Sequence, residues 1–185
     1  MTARSMNTGY GKVAVGLHWG TAVLVLGQMA LGLSMARVAG GDSDGMYRAH
    51  VAIGLVIGLL TLARIAWRVI EPSPTPPPMP AWRLRLYQAN HAAFYVVLLA
   101  LAASGIALLL ASDLTLSPTG IEAEAVEDGR ARDGHFILAL IFSALFFMHV
   151  AGVVSYQRTK GDVFARIGVT GLNSPDHTPT ASGRE

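Results

Sequence analysis

The sequence predicts an all-α integral membrane protein, folded as a bundle of four transmembrane helices. Only 14% of the 185 residues are charged, whereas soluble domains carry about a quarter. The charges are clustered, which leaves four apolar stretches near the about 20 residues that a helix needs to cross a bilayer. Little chain lies between them, so we expect one membrane domain over residues 1–170 and a disordered polar tail over 171–185.

The first span is predicted at about 13–35, behind a polar flank that holds Arg4 and Lys12. Its apolar stretch is long, contains His18 and lacks a clear cleavage site, so we interpret it as a retained span and not as a signal peptide. A run of glycine and aspartate at 40–45 then breaks the helix.

The second span is predicted at about 47–69. It ends in Arg64 and Arg68, with Trp67 between them at the depth of the membrane interface. The segment that follows, at 71–80, is too rich in proline to be helical and predicts a stiff, extended connector.

The third span is predicted at about 84–111 and the fourth at about 134–157. The connection between them, at 113–133, is polar and acidic, with room for a short interfacial helix.

Ten of the 14 lysines and arginines lie in the N-terminal flank, around the proline connector or in the C-terminal tail. Because basic residues accumulate on the cytoplasmic side, we expect both termini there, in a membrane that the chain crosses four times.

Five of the six histidines lie in or at the ends of the predicted spans. An ionisable side chain inside a span is costly and suggests a function, although a single histidine could equally be structural. Depth divides the five into an inner group of three and an outer group of two: His18, His91 and His149, then His50 and His135.

The two histidines of the fourth span carry the most information. His135 and His149 are 14 residues apart, nearly four helical turns, so they share a face and lie about 21 Å apart along the axis. That spacing suits two cofactors, one near each membrane surface, and it does not suit one shared metal ion. At matching depth, His50 could complete the outer site, and His18 or His91 the inner one. An iron bound by two histidines has no open position and transfers electrons.

The chain has no cysteine, which excludes disulfides, iron–sulfur clusters and covalent haem attachment. Glycines stand near several histidines, namely Gly16, Gly20, Gly54, Gly58 and Gly152. Such small residues would let a flat macrocycle approach, but we favour ordinary helix packing as their role.

Several short motifs resemble the bacterial cytochrome b561 family over nearly the whole chain. They are Leu17-His18-Trp19, His50-Val51-Ala52-Ile53-Gly54, Arg64-Ile65-Ala66-Trp67-Arg68, His91-Ala92-Ala93-Phe94-Tyr95 and Asp162-Val163-Phe164-Ala165-Arg166, together with the spacing of His135 and His149. The resemblance implies a four-helix bundle with two b haems. It further implies that His18 and His149 bind one haem iron, and His50 and His135 the other.

The resemblance also implies exchange of electrons with the quinone pool, with ubiquinone as the acceptor. In at least one line of the family the donor is superoxide at the outer face, which would make the protein a superoxide:quinone oxidoreductase. Ser155 and Tyr156 stand where the family often has a histidine pair linked to the quinone site, and the outer connection is acidic, which does not favour an anionic donor.

Four residues would then serve the haems or the quinone without binding iron. His91 could contact a haem propionate, line a quinone site or pack as a structural imidazole. Arg64, Arg68 and Lys12 are candidates for propionate contacts, although the cytoplasmic side would be basic in any case.

The leading hypothesis is a di-haem carrier that moves electrons between a periplasmic-side donor and a quinone. A second is a haem-binding anchor subunit for a periplasmic dehydrogenase or cytochrome, docked on the acidic connection. A third is a histidine-based metal or proton transporter, which the near absence of acidic residues in the spans disfavours. The lipid bilayer and a quinone are the expected partners, with a periplasmic redox protein as a further one, and no nucleic acid is expected.

Overall fold

The computed structural model describes residues 9–37, 44–76, 78–114, 130–160 and 163–169. These residues form four long helices and one short helix: α1 (Lys12–Met35), α2 (Asp44–Ile70), α3 (Ala81–Ala111), α4 (Arg130–Lys160) and α5 (Val163–Arg166). The four long helices are each long and apolar enough to cross a membrane, and the described residues contain no strand. The chain is therefore an all-α membrane protein, as the sequence predicts.

The helices extend beyond the predicted spans because the polar turns at the membrane interface are also helical. Asp44 lies in the first turn of α2 and Asp133 in the first turn of α4, where an acidic side chain interacts favourably with the positive end of the helix dipole. The interfacial helix predicted within 113–133 and the disordered tail at 171–185 fall mainly or wholly outside the described residues.

Adjacent helices pack in chain order, α1 on α2, α2 on α3 and α3 on α4. Each of the four contributes one side chain to a small core at mid-depth: Val25, Ile57, Leu98 and Phe142. These are between 4% and 9% exposed, whereas many large apolar residues, such as Leu59 and Val96, face outward as a lipid-facing surface requires.

Close packing between α2 and α3 depends on Gly58. A Cβ atom built at Gly58 would lie 3.2 Å from the Cβ of Ala102, closer than the separation that carbon atoms prefer. One turn further along, the fully buried Thr61 donates its hydroxyl hydrogen to the carbonyl of Ile57 at 2.8 Å. The turn of α2 next to α3 thus combines a small residue with a polar group that is hydrogen-bonded within its own helix.

A C-terminal segment, residues 163–169, includes α5 and joins the beginning of α1 to the proline connector. The indole of Trp19 donates to the carbonyl of Ile167 at 2.9 Å, and the backbone N–H of Tyr10 donates to the carbonyl of Arg166 at 3.0 Å. The Arg166 guanidinium donates to the carbonyl of Thr75. Gly168 turns the chain with φ of 83°, a conformation that glycine adopts at little cost.

Candidate functional site

The outer histidines face each other from α2 and α4. The ring centroids of His50 and His135 are 6.1 Å apart, with the ring planes at 73°. A metal held between two imidazoles needs two bonds of about 2 Å, which together with the half-width of each ring gives a separation of about 6 Å. The pair therefore has the spacing that one iron with two axial histidines requires.

The hydrogen bonds of His135 leave its second ring nitrogen available for a metal. Its Nδ1 lies 2.8 Å from the hydroxyl oxygen of Ser104 on α3, and that hydroxyl donates its hydrogen to the carbonyl of Leu101 at 3.0 Å. The Ser104 oxygen is thus the acceptor, so Nδ1 carries a hydrogen and Nε2 carries the lone pair. Histidines that bind metals are usually held in this way.

Two glycines make room at the outer pair. A Cβ atom built at Gly32 on α1 would lie 3.4 Å from Cε1 of His50, and one at Gly105 on α3 would lie 3.5 Å from Cε1 of His135. Each ring is thus bordered by a glycine of the helix that precedes its own. The sequence does not single out these two among its 20 glycines.

The glycines that the sequence does single out have different surroundings. Among the described residues, no atom lies within 4 Å of a Cβ built at Gly16, Gly20 or Gly152, whereas Gly54 and Gly58 contact side chains of neighbouring helices. The expected packing role therefore fits Gly54 and Gly58.

The inner histidines come together from three helices. The ring of His91 lies 5.4 Å from that of His149, with the planes at 77°, and His18 lines the same cavity as both. Arg64 lines the same cavity as all three histidines, and its guanidinium lies 5.8 Å from the centre of the Tyr95 ring. A positive charge thus stands beside the inner group.

Like His135, His91 is oriented by a hydrogen-bond acceptor at its Nδ1. That nitrogen lies 2.7 Å from the carbonyl oxygen of Tyr87, one turn earlier in α3. A carbonyl only accepts, so Nδ1 carries the hydrogen and Nε2 is free to accept a hydrogen bond or to bind a metal. Phe94, one turn later, packs edge-on against His149 at 5.3 Å and orients that ring.

A cavity of about 520 Å³ adjoins the inner histidines, within the range of small-molecule and cofactor sites. Its lining includes the following residues: His18, Arg64, Arg68, His91, His149 and Tyr156. Gly152 and Ser155 also line it, and the open space beside Gly152 would admit a flat ring. Lys12 is exposed at the beginning of α1.

The apolar core separates the two groups of histidines. His135 and His149 lie on the continuous helix α4, about 21 Å apart along its axis, and Phe142 is midway between them in sequence. Phe142 packs against Phe94 at 5.5 Å. The two groups of histidines therefore lie on opposite sides of an apolar layer, and the outer pair has the spacing that one haem iron requires.

Three polar residues near these sites were not identified from the sequence. Gln28 donates from Nε2 to the carbonyl of His50 at 2.8 Å, Ser104 contacts His135, and Asn90 is 8% exposed in the cavity wall. The rarity of amide side chains within apolar spans is a signal that could have identified Gln28 and Asn90. Ser104 has no such signal, since serine is common in membrane helices.

Comparison with known proteins gives two similarities. The family model described as prokaryotic cytochrome b561 matches residues 9–168. The cytochrome b561 homolog 2 of Escherichia coli (strain K12) is 33% identical over 152 residues, which cover 76% of this chain and 80% of that protein.

Proposed function

Because the chain belongs to the prokaryotic cytochrome b561 family and is thus a membrane b-type cytochrome, we propose that it holds two b haems. Through them it carries electrons between a donor at the outer surface and the quinone pool. The observation that carries this proposal is the facing pair His50 and His135, at the spacing of a bis-histidine iron site. When bound there, haem supplies a one-electron redox couple, and the protein supplies ligands, orientation and a low dielectric.

The inner haem is assigned to His18 and His149 as axial ligands. Both line the cavity, and Arg64 lines it with them. Arg64 and Arg68 are suited to bind the propionates, since guanidinium groups pair with carboxylates through two parallel hydrogen bonds. His91, whose Nε2 is free, then lies beside the inner ligands as a hydrogen-bonding group.

The quinone is proposed to bind beside the inner haem, at the part of the same cavity that Ser155 and Tyr156 line. Ser155 and Tyr156 lie in its wall in place of the family's histidine pair, and the Tyr156 hydroxyl now donates to the carbonyl of Pro78 at 3.3 Å. Tyr87 and Tyr10 contribute two further hydroxyls, 3.2 Å apart. These hydroxyls can donate to the oxygens of ubiquinone and hold its ring near the inner site, and Nε2 of His91 can accept from a quinol hydroxyl.

The donor side is proposed to be periplasmic, in a bacterial inner membrane with both termini in the cytoplasm. The distribution of basic residues supports this orientation. Superoxide is the proposed donor by family resemblance, and a small periplasmic redox protein is the alternative that the acidic connection favours. Reduction of the purified protein by enzymatically generated superoxide, with and without superoxide dismutase, distinguishes the two.

The haem content of the purified protein tests the proposal. We expect two b haems per chain with low-spin spectra in the wild type. His135→Ala and His50→Ala should each remove the outer haem and keep the inner spectrum, because each leaves one iron with a single ligand. His177→Ala, which changes the histidine outside the spans, is the matched control and should keep two. Two haems in His135→Ala would refute the outer assignment.

The inner assignment needs a separate comparison, because three histidines meet there. We expect His18→Ala to lose the inner haem, and His91→Ala to keep both haems with a shifted inner midpoint potential. If His91→Ala loses the haem and His18→Ala keeps it, His91 and not His18 is the inner ligand.

A further inference from the structure

Two buried polar atoms beside the outer site lack partners among the described residues. One is Nδ1 of His50, and the other is Oε1 of Gln28. The first can donate a hydrogen bond and the second can only accept one. Buried groups of this kind are rarely left unpaired, because an unmade hydrogen bond leaves the loss of hydration uncompensated.

The two atoms belong to residues that are already joined by a hydrogen bond from the Gln28 side chain to the His50 backbone. Nε2 of Gln28 donates to the backbone carbonyl of His50 at 2.8 Å, which fixes the orientation of the amide. A Cβ atom built at Gly32 would lie 3.8 Å from Nδ1 of His50, so this edge of the ring faces α1. Gln28 precedes Gly32 by one turn on the same face of α1.

Gly54 preserves the position of the amide. A Cβ atom built at Gly54, one turn after His50, would lie 3.2 Å from Nε2 of Gln28. Any larger residue there would compete with the amide for space. The amide thus occupies a gap between α1 and α2 that a side chain at Gly54 would partly fill.

The same arrangement occurs between α3 and α4, where the hydrogen bond to the histidine Nδ1 is formed. On α3, Gly105 borders the Nδ1 edge of His135, and the neighbouring Ser104 accepts from that Nδ1 at 2.8 Å. On α1, Gly32 borders the Nδ1 edge of His50, and Gln28 is the polar residue one turn away. His50 and His135 thus each face a glycine and a polar side chain on the helix that precedes their own.

We propose that Gln28 is the positioning residue of His50, with Oε1 accepting the hydrogen of Nδ1, directly or across one water. The inference rests on the proposed function, in which Nε2 of His50 binds the outer haem iron. An acceptor on Nδ1 makes the imidazole a stronger donor to iron and favours the ferric state, which lowers the midpoint potential. Loss of such a partner typically weakens metal binding 10- to 100-fold.

The test uses two variants that differ in one respect. Gln28→Leu and Gln28→Glu both lose the amide N–H group that bonds to His50, but only Glu keeps an oxygen that can accept from Nδ1. We expect Gln28→Leu to raise the midpoint potential of the outer haem and to lose that haem more readily on dilution in detergent. Gln28→Glu should keep the potential at or below the wild-type value. Gln88→Leu, at an exposed glutamine of α3, is the matched control.

The readouts are a redox titration of both haems and the low-temperature EPR spectrum, which reports the ligand field of each ferric iron. His135→Ala identifies the outer signals. If Gln28→Leu and Gln28→Glu shift the outer signals alike, Gln28 acts only through its contact with the His50 backbone and the inference is wrong. Outer signals that are unchanged in both variants also overturn it. Absence of an outer haem in the wild type would instead contradict the proposed function.

Discussion

Single side chains make the two histidine groups electrically different. The inner group stands beside Arg64, which lines the same cavity as His18, His91 and His149. The hydrogen-bond partners described at the outer pair, Ser104 and Gln28, carry no charge. A fixed positive charge stabilises the reduced form of a nearby iron, because reduction adds a negative charge. The inner site should therefore have the higher potential, which favours electron flow from the outer site to the inner one.

Arg64 is the residue whose removal should show this effect. We expect Arg64→Gln to lower the midpoint potential of the inner haem by about 40 mV, which corresponds to about 1 kcal/mol for a partly screened charge. The outer potential should change little. Arg37→Gln removes a charge at the opposite end of α1 from His18 and serves as the control. An unchanged inner potential in Arg64→Gln, measured by redox titration, would mean that the guanidinium is screened from the iron.

The five histidines stand out in the sequence as candidate site residues because an ionisable group inside an apolar span is conspicuous. The contacts around these histidines could not be predicted from the sequence. Whether Gly32 or Gly27 borders a histidine depends on the rotation of α1 against α2, which no local pattern records. The approach of His91 to His149 likewise depends on tertiary packing, so the sequence leaves the role of His91 open.

At the scale of elements, the four long helices follow from apolar length and from the proline connector, both of which are local properties. The C-terminal segment 163–169 shows the limit of such reasoning. Its few residues carry no strong helical pattern, and it is held by long-range hydrogen bonds to Tyr10, Trp19 and Thr75. These contacts cannot be inferred from neighbouring residues.

The C-terminal segment contributes Val163, Arg166 and Ile167 to the wall of the inner cavity. Deletion of residues 163–185 should therefore open the cavity to solvent, while deletion of 170–185 alone should leave this wall intact. We expect the longer deletion to accelerate reduction of the inner haem by a water-soluble reductant several-fold, as measured by stopped-flow absorbance. Equal rates in the two truncated proteins would show that the segment does not limit access.

At the scale of the whole molecule, the number of spans and the distribution of basic residues predict one orientation. A fluorescent protein fused after residue 169 should be fluorescent, and alkaline phosphatase at the same point should be inactive, because that end is expected in the cytoplasm. Fusions within the 113–133 connection should give the reverse pattern. The same pattern at both points would refute either the orientation or the span count.

The apolar layer formed by Val25, Ile57, Leu98 and Phe142 also acts as an electrical insulator. An electron that passes between the two histidine groups travels about 21 Å along the membrane normal, roughly two thirds of a hydrocarbon core of about 30 Å. A full crossing changes the energy of one charge by about 2.3 kcal/mol per 100 mV. The distribution of an electron between the two sites would therefore change about tenfold per 100 mV of membrane potential. In the proposed orientation, a membrane potential that is negative on the cytoplasmic side would oppose electron transfer from the outer to the inner site and favour the reverse.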